Sequence, residues 1–103
     1  MTYEVRVSDK AHGQIQDIYD RLLIEARSAA VEWFNGVLER MNSLAQFPHR
    51  CPRAIESRRL SSELRHLVYG DHRRAYRIIF VVRAERVIIL EVRHAARAPF
   101  TQI

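Results

Sequence analysis

The spacing of apolar residues changes near the middle of this chain, and the change limits the folds that it can adopt. Between residues 9 and 45 apolar side chains recur every three or four positions, whereas from residue 64 onward they alternate or run in short blocks. The first spacing is typical of one face of an amphipathic helix, and the second is typical of strands. The sequence therefore predicts a helical first half and a β-sheet second half.

Two amphipathic helices are predicted in the first half. Ser8 can serve as the N-cap of the first helix, with Asp9 in the first turn, where a carboxylate suits the positive end of the helix dipole. Ser28 is the predicted N-cap of the second helix, which ends where Phe47 precedes Pro48, because a residue before proline is disfavoured in the helical conformation. The short connection indicates that the two helices form an antiparallel hairpin.

Strands are predicted on both sides of the helices. After a loop with room for one helical turn near residues 54–58, Gly70 marks a tight turn between two β-patterned runs. The predicted strands are residues 3–7, 64–69, 74–82 and 87–93. We therefore expect a single α+β domain spanning residues 1–103, in which an N-terminal strand and a helical hairpin precede a three-stranded, mostly antiparallel sheet with the hairpin on one face.

The alternation of side chains in the middle strand singles out one arginine. Tyr76, Ile78 and Phe80 share one face with Val82, and this more aromatic face is expected to pack on the helices. Arg77 then lies on the open face, where partial desolvation would strengthen its hydrogen bonds to a phosphate. The alternative is a structural ion pair with a neighbour such as Glu91 or with the chain terminus.

Positive charge is concentrated in the second half. The first 47 residues carry five basic and seven acidic groups, and the remainder carries twelve arginines and five acids. Arginine presents a planar fork of donors that fits phosphate or carboxylate, unlike the point charge of lysine. This half therefore suggests RNA, DNA or an acidic protein as a partner. A solvated surface in an arginine-rich proteome is the alternative.

Several other classes of protein are excluded by the composition. One cysteine, Cys51, permits neither an intramolecular disulfide nor a cysteine-rich zinc site. The longest apolar run, residues 78–82, is too short to cross a bilayer, and the strand pattern from residue 3 leaves no room for a signal peptide. The histidines lack metal-ligand spacing, and three glycines form no phosphate-binding loop. We expect a cytoplasmic protein without membrane contact, metal or cofactor.

Several segments of the chain resemble the RelE/ParE toxins of type II toxin–antitoxin modules. They are Tyr76-Arg77-Ile78-Ile79-Phe80, Val87-Ile88-Ile89-Leu90, His94-Ala95-Ala96-Arg97, the strand Leu64-Arg65-His66-Leu67 before Tyr69-Gly70, and Trp33, Leu44, Phe47, Pro48 and Pro52 in the second helix and the following loop. The resemblance extends from residue 3 to residue 97. It implies the RelE/ParE-like fold, which agrees with the periodicity, and a growth-arresting function.

The family divides by target. RelE-like members cut mRNA in the ribosome with clustered basic residues and often a C-terminal tyrosine or histidine, whereas ParE-like members inhibit DNA gyrase. Here Arg77 stands where RelE-like toxins have a functional arginine, but Ala95 aligns with a second catalytic arginine and no tyrosine follows it. The resemblance therefore slightly favours a ParE-like toxin. A RelE-like, ribosome-dependent mRNA endoribonuclease and an inactive or nucleic-acid-binding relative are the alternatives.

A RelE-like reaction would need a base, an acid and a cation that stabilises the phosphate. The candidate catalytic residues on that reading are Arg65, Arg77, His94 and Arg97. His94 suits proton transfer because its unperturbed pKa is about 6.5, and His66 and His72 are second choices. Alternatively, His94 is a strand-end residue bonded to backbone, and Arg97 anchors the tail.

The resemblance also implies a cognate antitoxin in a hetero-oligomeric complex. Family antitoxins wrap the toxin with an acidic and apolar C-terminal segment. We expect that segment, or nucleic acid, to bind Arg65, Arg73, Arg74 and Arg77, beside the groove between helical hairpin and sheet.

Overall fold

The computed structural model describes residues 2–70 and 74–100. The elements follow the predicted order, and the expected α+β architecture is confirmed. They are β1 (Glu4–Val7), α1 (Asp9–Glu25), α2 (Arg27–Ser43), β2 (Arg65–Tyr69), β3 (Tyr76–Arg83) and β4 (Arg86–His94), with short 3₁₀ turns at Pro48–Arg50 and Ile55–Arg58. The second of these turns lies where a helical turn was predicted.

The start of α1 agrees with the prediction from the sequence, whereas the start and the end of α2 differ from it. The Ser8 hydroxyl accepts a hydrogen bond from the Ala11 N–H at 3.1 Å, so the predicted N-cap is confirmed. Ser28 is not an N-cap. A single extended residue, Ala26, joins the two helices, and its carbonyl accepts from the Ala30 N–H at 3.1 Å. α2 ends at Ser43, earlier than Phe47, which adopts the left-handed conformation before Pro48.

Within residues 2–70 and 74–100 the sheet has four strands in the order β1-β4-β3-β2, one more than predicted. β1 pairs in parallel with β4, while the other two pairings are antiparallel. Parallel strands need a long crossover between them, and the helical hairpin is part of that connection. The N-terminal strand is therefore an edge strand of the same sheet rather than a separate element.

Both faces of the sheet are covered. Ile78 and Phe80 pack against the helices, as the alternation predicted. On the other face, Ile79 and Val81 pack with Ala54 and Leu64 in a second, smaller core. The prediction that this face is open to solvent is therefore wrong, because the segment before β2 covers it.

A β-bulge changes the alternation of β4. Ile79 lies opposite Glu91 and Phe80 lies opposite Ile89, so one residue of β4, Leu90, has no counterpart. Val92 consequently joins Ile89 in the core beneath the helices. In the part of the chain that the structure describes, no helix combines the length and hydrophobicity needed to cross a membrane.

Candidate functional site

Arg77 lies in a buried network rather than on a solvent-facing surface. Its two terminal nitrogens bind the two carboxylate oxygens of Glu56 at 2.8 and 2.5 Å, and its Nε–H donates to His66 Nδ1 at 3.1 Å. Arg77 is 7% exposed and Glu56 is fully buried. The ion-pair alternative for Arg77 therefore agrees with the geometry, but the partner is Glu56 instead of Glu91 or the chain terminus.

The surroundings of Glu56 and His66 shift the pKa of each group. Burial raises the pKa of Glu56, but hydrogen bonds from Arg77 and from backbone groups outweigh it and hold that pKa below its usual range. Burial, reinforced by the Arg77 cation, lowers the pKa of His66. Because Arg77 Nε–H can only donate, His66 Nδ1 must accept, so the neutral imidazole carries its proton on Nε2.

The four residues proposed for RNA cleavage do not converge. Arg65 donates to the Cys51 carbonyl at 2.6 Å and pairs with Glu63 at 2.6 Å. It lies opposite Phe80, on the helix-facing side of the sheet, whereas Arg77 points to the other face.

The remaining two lie near the far end of the sheet. His94 contacts the Tyr76 ring edge-on at 5.2 Å, and its Nδ1 accepts from the Ala96 N–H at 3.1 Å. This bond matches the alternative in which His94 is bonded to backbone. Arg97 lines a cavity beside α1.

A groove does lie between the helical hairpin and the sheet, as expected from the sequence. Two cavities of about 470 and 220 Å³ form it, and Leu22 and Tyr76 line both. We call this the hairpin–sheet groove. Its apolar lining includes Ile18, Leu22, Trp33, Tyr69, Tyr76 and Val92, and its arginines include Arg21, Arg74 and Arg97.

Two buried donors lack partners, one beside this groove and one on the opposite face of the sheet, where Arg93 lies opposite Arg77. Among the side chains of residues 2–70 and 74–100, Trp33 Nε1 and Arg93 Nε are the buried polar atoms without a hydrogen bond. Arg93 is 6% exposed, lies 3.5 Å from Glu91 and stacks 5.1 Å from the Phe100 ring. Burial lowers its pKa. Buried donors in folded proteins are nearly always satisfied, by protein groups or by bound water.

The predicted partner-binding arginines divide between this groove and other sites. Arg74 lines the groove, is largely exposed and pairs with Glu25 at 3.5 Å. Arg65 and Arg77 are engaged elsewhere, as described above, and Arg73 and His72 lie outside the described residues. Sequence reasoning did not identify Arg93, which the bulge in β4 turns to the same face of the sheet as Arg77. It assigned Trp33 to the core and did not consider a hydrogen-bond acceptor for the indole N–H.

No acidic, histidine or cysteine cluster of three that could hold a metal occurs within the described ranges.

Comparison with known proteins identifies a family and a fold. The family described as the ParE toxin of the type II toxin–antitoxin system parDE matches residues 5–99. A solved structure of the chromosomal ParDE toxin–antitoxin system from P. aeruginosa is similar over 90% of this chain and 96% of that chain, with a TM-score of 0.74 and 19% sequence identity. No curated protein sequence matches.

Proposed function

This chain belongs to the ParE toxin family of type II toxin–antitoxin systems, and we propose that it arrests growth by inhibiting DNA gyrase in the cytoplasm. The observation that carries the proposal is the family match, which covers residues 5–99. The toxin acts as a binding protein on this proposal, since inhibition of gyrase needs a complementary surface and no cleavage site of its own.

The arrangement of the arginines supports this choice over RNA cleavage. A nuclease would need Arg77 to stabilise negative charge on a phosphate, yet both of its terminal nitrogens bind Glu56. Arg65 lies on the opposite face of the sheet and is also engaged. The RelE-like alternative would therefore require these contacts to rearrange when RNA binds.

Induction of the chain alone in bacterial cells separates the two targets. We expect growth to stop, plasmid DNA to lose negative supercoiling and the DNA-damage response to rise, while mRNA stays intact. Cleaved mRNA without a change in supercoiling would favour the RelE-like alternative. Unimpaired growth would contradict the toxin assignment for this chain.

A cognate antitoxin is the partner that membership of a toxin–antitoxin family implies. We propose that an acidic and apolar segment of the antitoxin lies in the hairpin–sheet groove. Carboxylates of that segment would pair with Arg21, Arg74 and Arg97, which line the groove. Such a segment would fold as it buries the apolar lining of the groove.

Two substitutions test this placement. Arg74→Gln and Arg97→Gln each remove one groove arginine, and each should weaken antitoxin binding about tenfold, the loss typical of one strong charge-assisted hydrogen bond. Arg83→Gln, at an exposed residue at the end of β3, is the matched control and should bind as the unchanged chain does. Thermal unfolding of each free variant checks that the fold is retained. Unaltered affinity in both groove variants would contradict the placement.

A further inference from the structure

A second cavity, of about 570 Å³, lies apart from the hairpin–sheet groove, beside the 3₁₀ turn that carries Glu56. Arg53, Ala54, Ile55, Ser57, Arg58 and His66 line it. We call it the Arg53–Arg58 pocket. It shares no lining residue with the groove, so a ligand here would be bound independently of the proposed antitoxin segment.

Hydrogen bonds hold the segments around the Arg53–Arg58 pocket in place. The Ala54 N–H donates to the Leu64 carbonyl at 2.7 Å, and the His66 N–H donates to the Pro52 carbonyl at 3.1 Å. The Ser57 hydroxyl also bonds to the Leu64 carbonyl, at 2.9 Å. The backbone around the pocket is therefore fixed before any ligand arrives, which lowers the entropy cost of binding.

His66 lines this pocket and is held in one tautomer. Its Nδ1 accepts from Arg77, whose guanidinium is in turn held by Glu56. The ring proton therefore lies on Nε2, the nitrogen that the network leaves for a ligand. The Glu56–Arg77–His66 chain thus acts on a ligand through the imidazole, which it holds in one tautomer and one orientation.

The charge around the Arg53–Arg58 pocket is positive and uncompensated. Within the described part of the chain, no carboxylate lies within ion-pair distance of Arg53 or Arg58, and both side chains are exposed. The acid of the neighbouring turn, Glu56, is buried against Arg77. The hairpin–sheet groove differs, because carboxylates such as Asp17 and Glu25 also line it.

We propose that the Arg53–Arg58 pocket binds a phosphate group. The two guanidinium groups supply forked donors that fit phosphate oxygens, and His66 Nε2–H supplies a third donor. Ile55, which is 51% exposed at the same pocket, offers apolar surface to the sugar or base of a nucleotide. This binding activity goes beyond gyrase inhibition and antitoxin binding, and it requires neither.

Two ligands identify the source of the phosphate. The purified full chain is titrated with inorganic phosphate and, separately, with a labelled single-stranded oligonucleotide. The His66 imidazole resonances are followed by NMR in both titrations, and fluorescence anisotropy gives the affinity for the oligonucleotide. The test variant is the double substitution Arg53→Gln and Arg58→Gln. The matched control is Arg27→Gln with Arg83→Gln, which removes the same charge from exposed positions outside the pocket.

We expect both ligands to perturb His66 if free phosphate and nucleic acid are both accepted, and the oligonucleotide alone if the site takes a phosphodiester. In the test variant, affinity should fall about tenfold for each arginine removed. The slope of log affinity against log salt for the oligonucleotide should fall by about 1.4, as for two lost phosphate contacts. Absence of any response at His66, or an equal loss of affinity in the control variant, would overturn the proposal.

Discussion

Glu56 and Arg77 form a two-pronged ion pair, at 2.8 and 2.5 Å, that joins the 3₁₀ turn Ile55–Arg58 to the central strand β3. The pair fastens the segment that covers the outer face of the sheet. It also occupies both terminal nitrogens of Arg77, the residue that most resembles a RelE catalytic arginine. A structural contact between residues 21 positions apart thus bears directly on the choice between RNA cleavage and gyrase inhibition.

Removal of one partner of this pair should destabilise the fold strongly. Glu56→Gln leaves the Arg77 charge buried without its counter-ion, and we expect the free energy of unfolding to fall by about 3–5 kcal/mol. Glu63→Gln removes the half-exposed acid beside Arg65 and should cost less than about 1 kcal/mol. Urea unfolding measures both variants. Equal losses would show that the buried pair contributes no more than a surface pair.

The stability of the protein should rise with pH across the range in which His66 titrates. Its pKa in the folded chain lies below the ordinary value of 6.5, so between these two values the unfolded chain binds more protons. The contribution of His66 to the free energy of unfolding is therefore fully present above pH 6.5 and is lost as the pH falls through its lower pKa in the folded chain. The slope contributed by one group is at most about 1.4 kcal/mol per pH unit.

His66→Asn tests this pH dependence, because asparagine can still accept from Arg77 but does not titrate. We expect urea unfolding between pH 5 and 7.5 to show a shallower pH dependence in this variant. His12→Asn, at an exposed position on α1, serves as the control. An unchanged slope in His66→Asn would show that His66 does not resist protonation in the folded chain.

Two glycines in the helices should respond oppositely to alanine. A Cβ at Gly13 would meet nothing within 4 Å, so Gly13→Ala should stabilise the protein by about 1 kcal/mol. A Cβ at Gly36 would lie 1.8 Å from the Tyr69 hydroxyl. Gly36→Ala should therefore destabilise the protein by about 1–3 kcal/mol.

A double-mutant cycle identifies the cause at Gly36. In a Tyr69→Ala background the clash is gone, and Gly36→Ala should then stabilise as Gly13→Ala does. Thermal unfolding of the four chains gives the coupling. If Gly36→Ala remains destabilising without the tyrosine ring, the close approach of Tyr69 is not the reason for glycine at this position.

Local patterns predicted the parts of the fold that depend on neighbours in sequence. Ser8 acts as the N-cap because its hydroxyl needs only the next turn of helix, and Ile78 and Phe80 face the helices because strand side chains alternate. The pairing of β1 with β4 was not predictable in this way. It joins residues about 80 positions apart, and either edge of the sheet could have received an N-terminal strand.

The candidate sites depended more on long-range contacts. Arg77 was found by alternation, but its partner lies in a segment without regular periodicity, so the sequence offered Glu91 instead of Glu56. Arg93 was missed because the bulge opposite Ile79 and Phe80 alters the alternation of β4. The unpartnered donors of Trp33 and Arg93 can be recognised only when the positions of all neighbouring acceptors are known.

Supercoiling of relaxed plasmid by purified DNA gyrase, with and without this chain, tests the proposed function most directly. We predict that the chain abolishes supercoiling and that prior addition of its antitoxin restores it. Undiminished supercoiling in the presence of excess folded chain, together with cleavage of mRNA on translating ribosomes, would contradict the account.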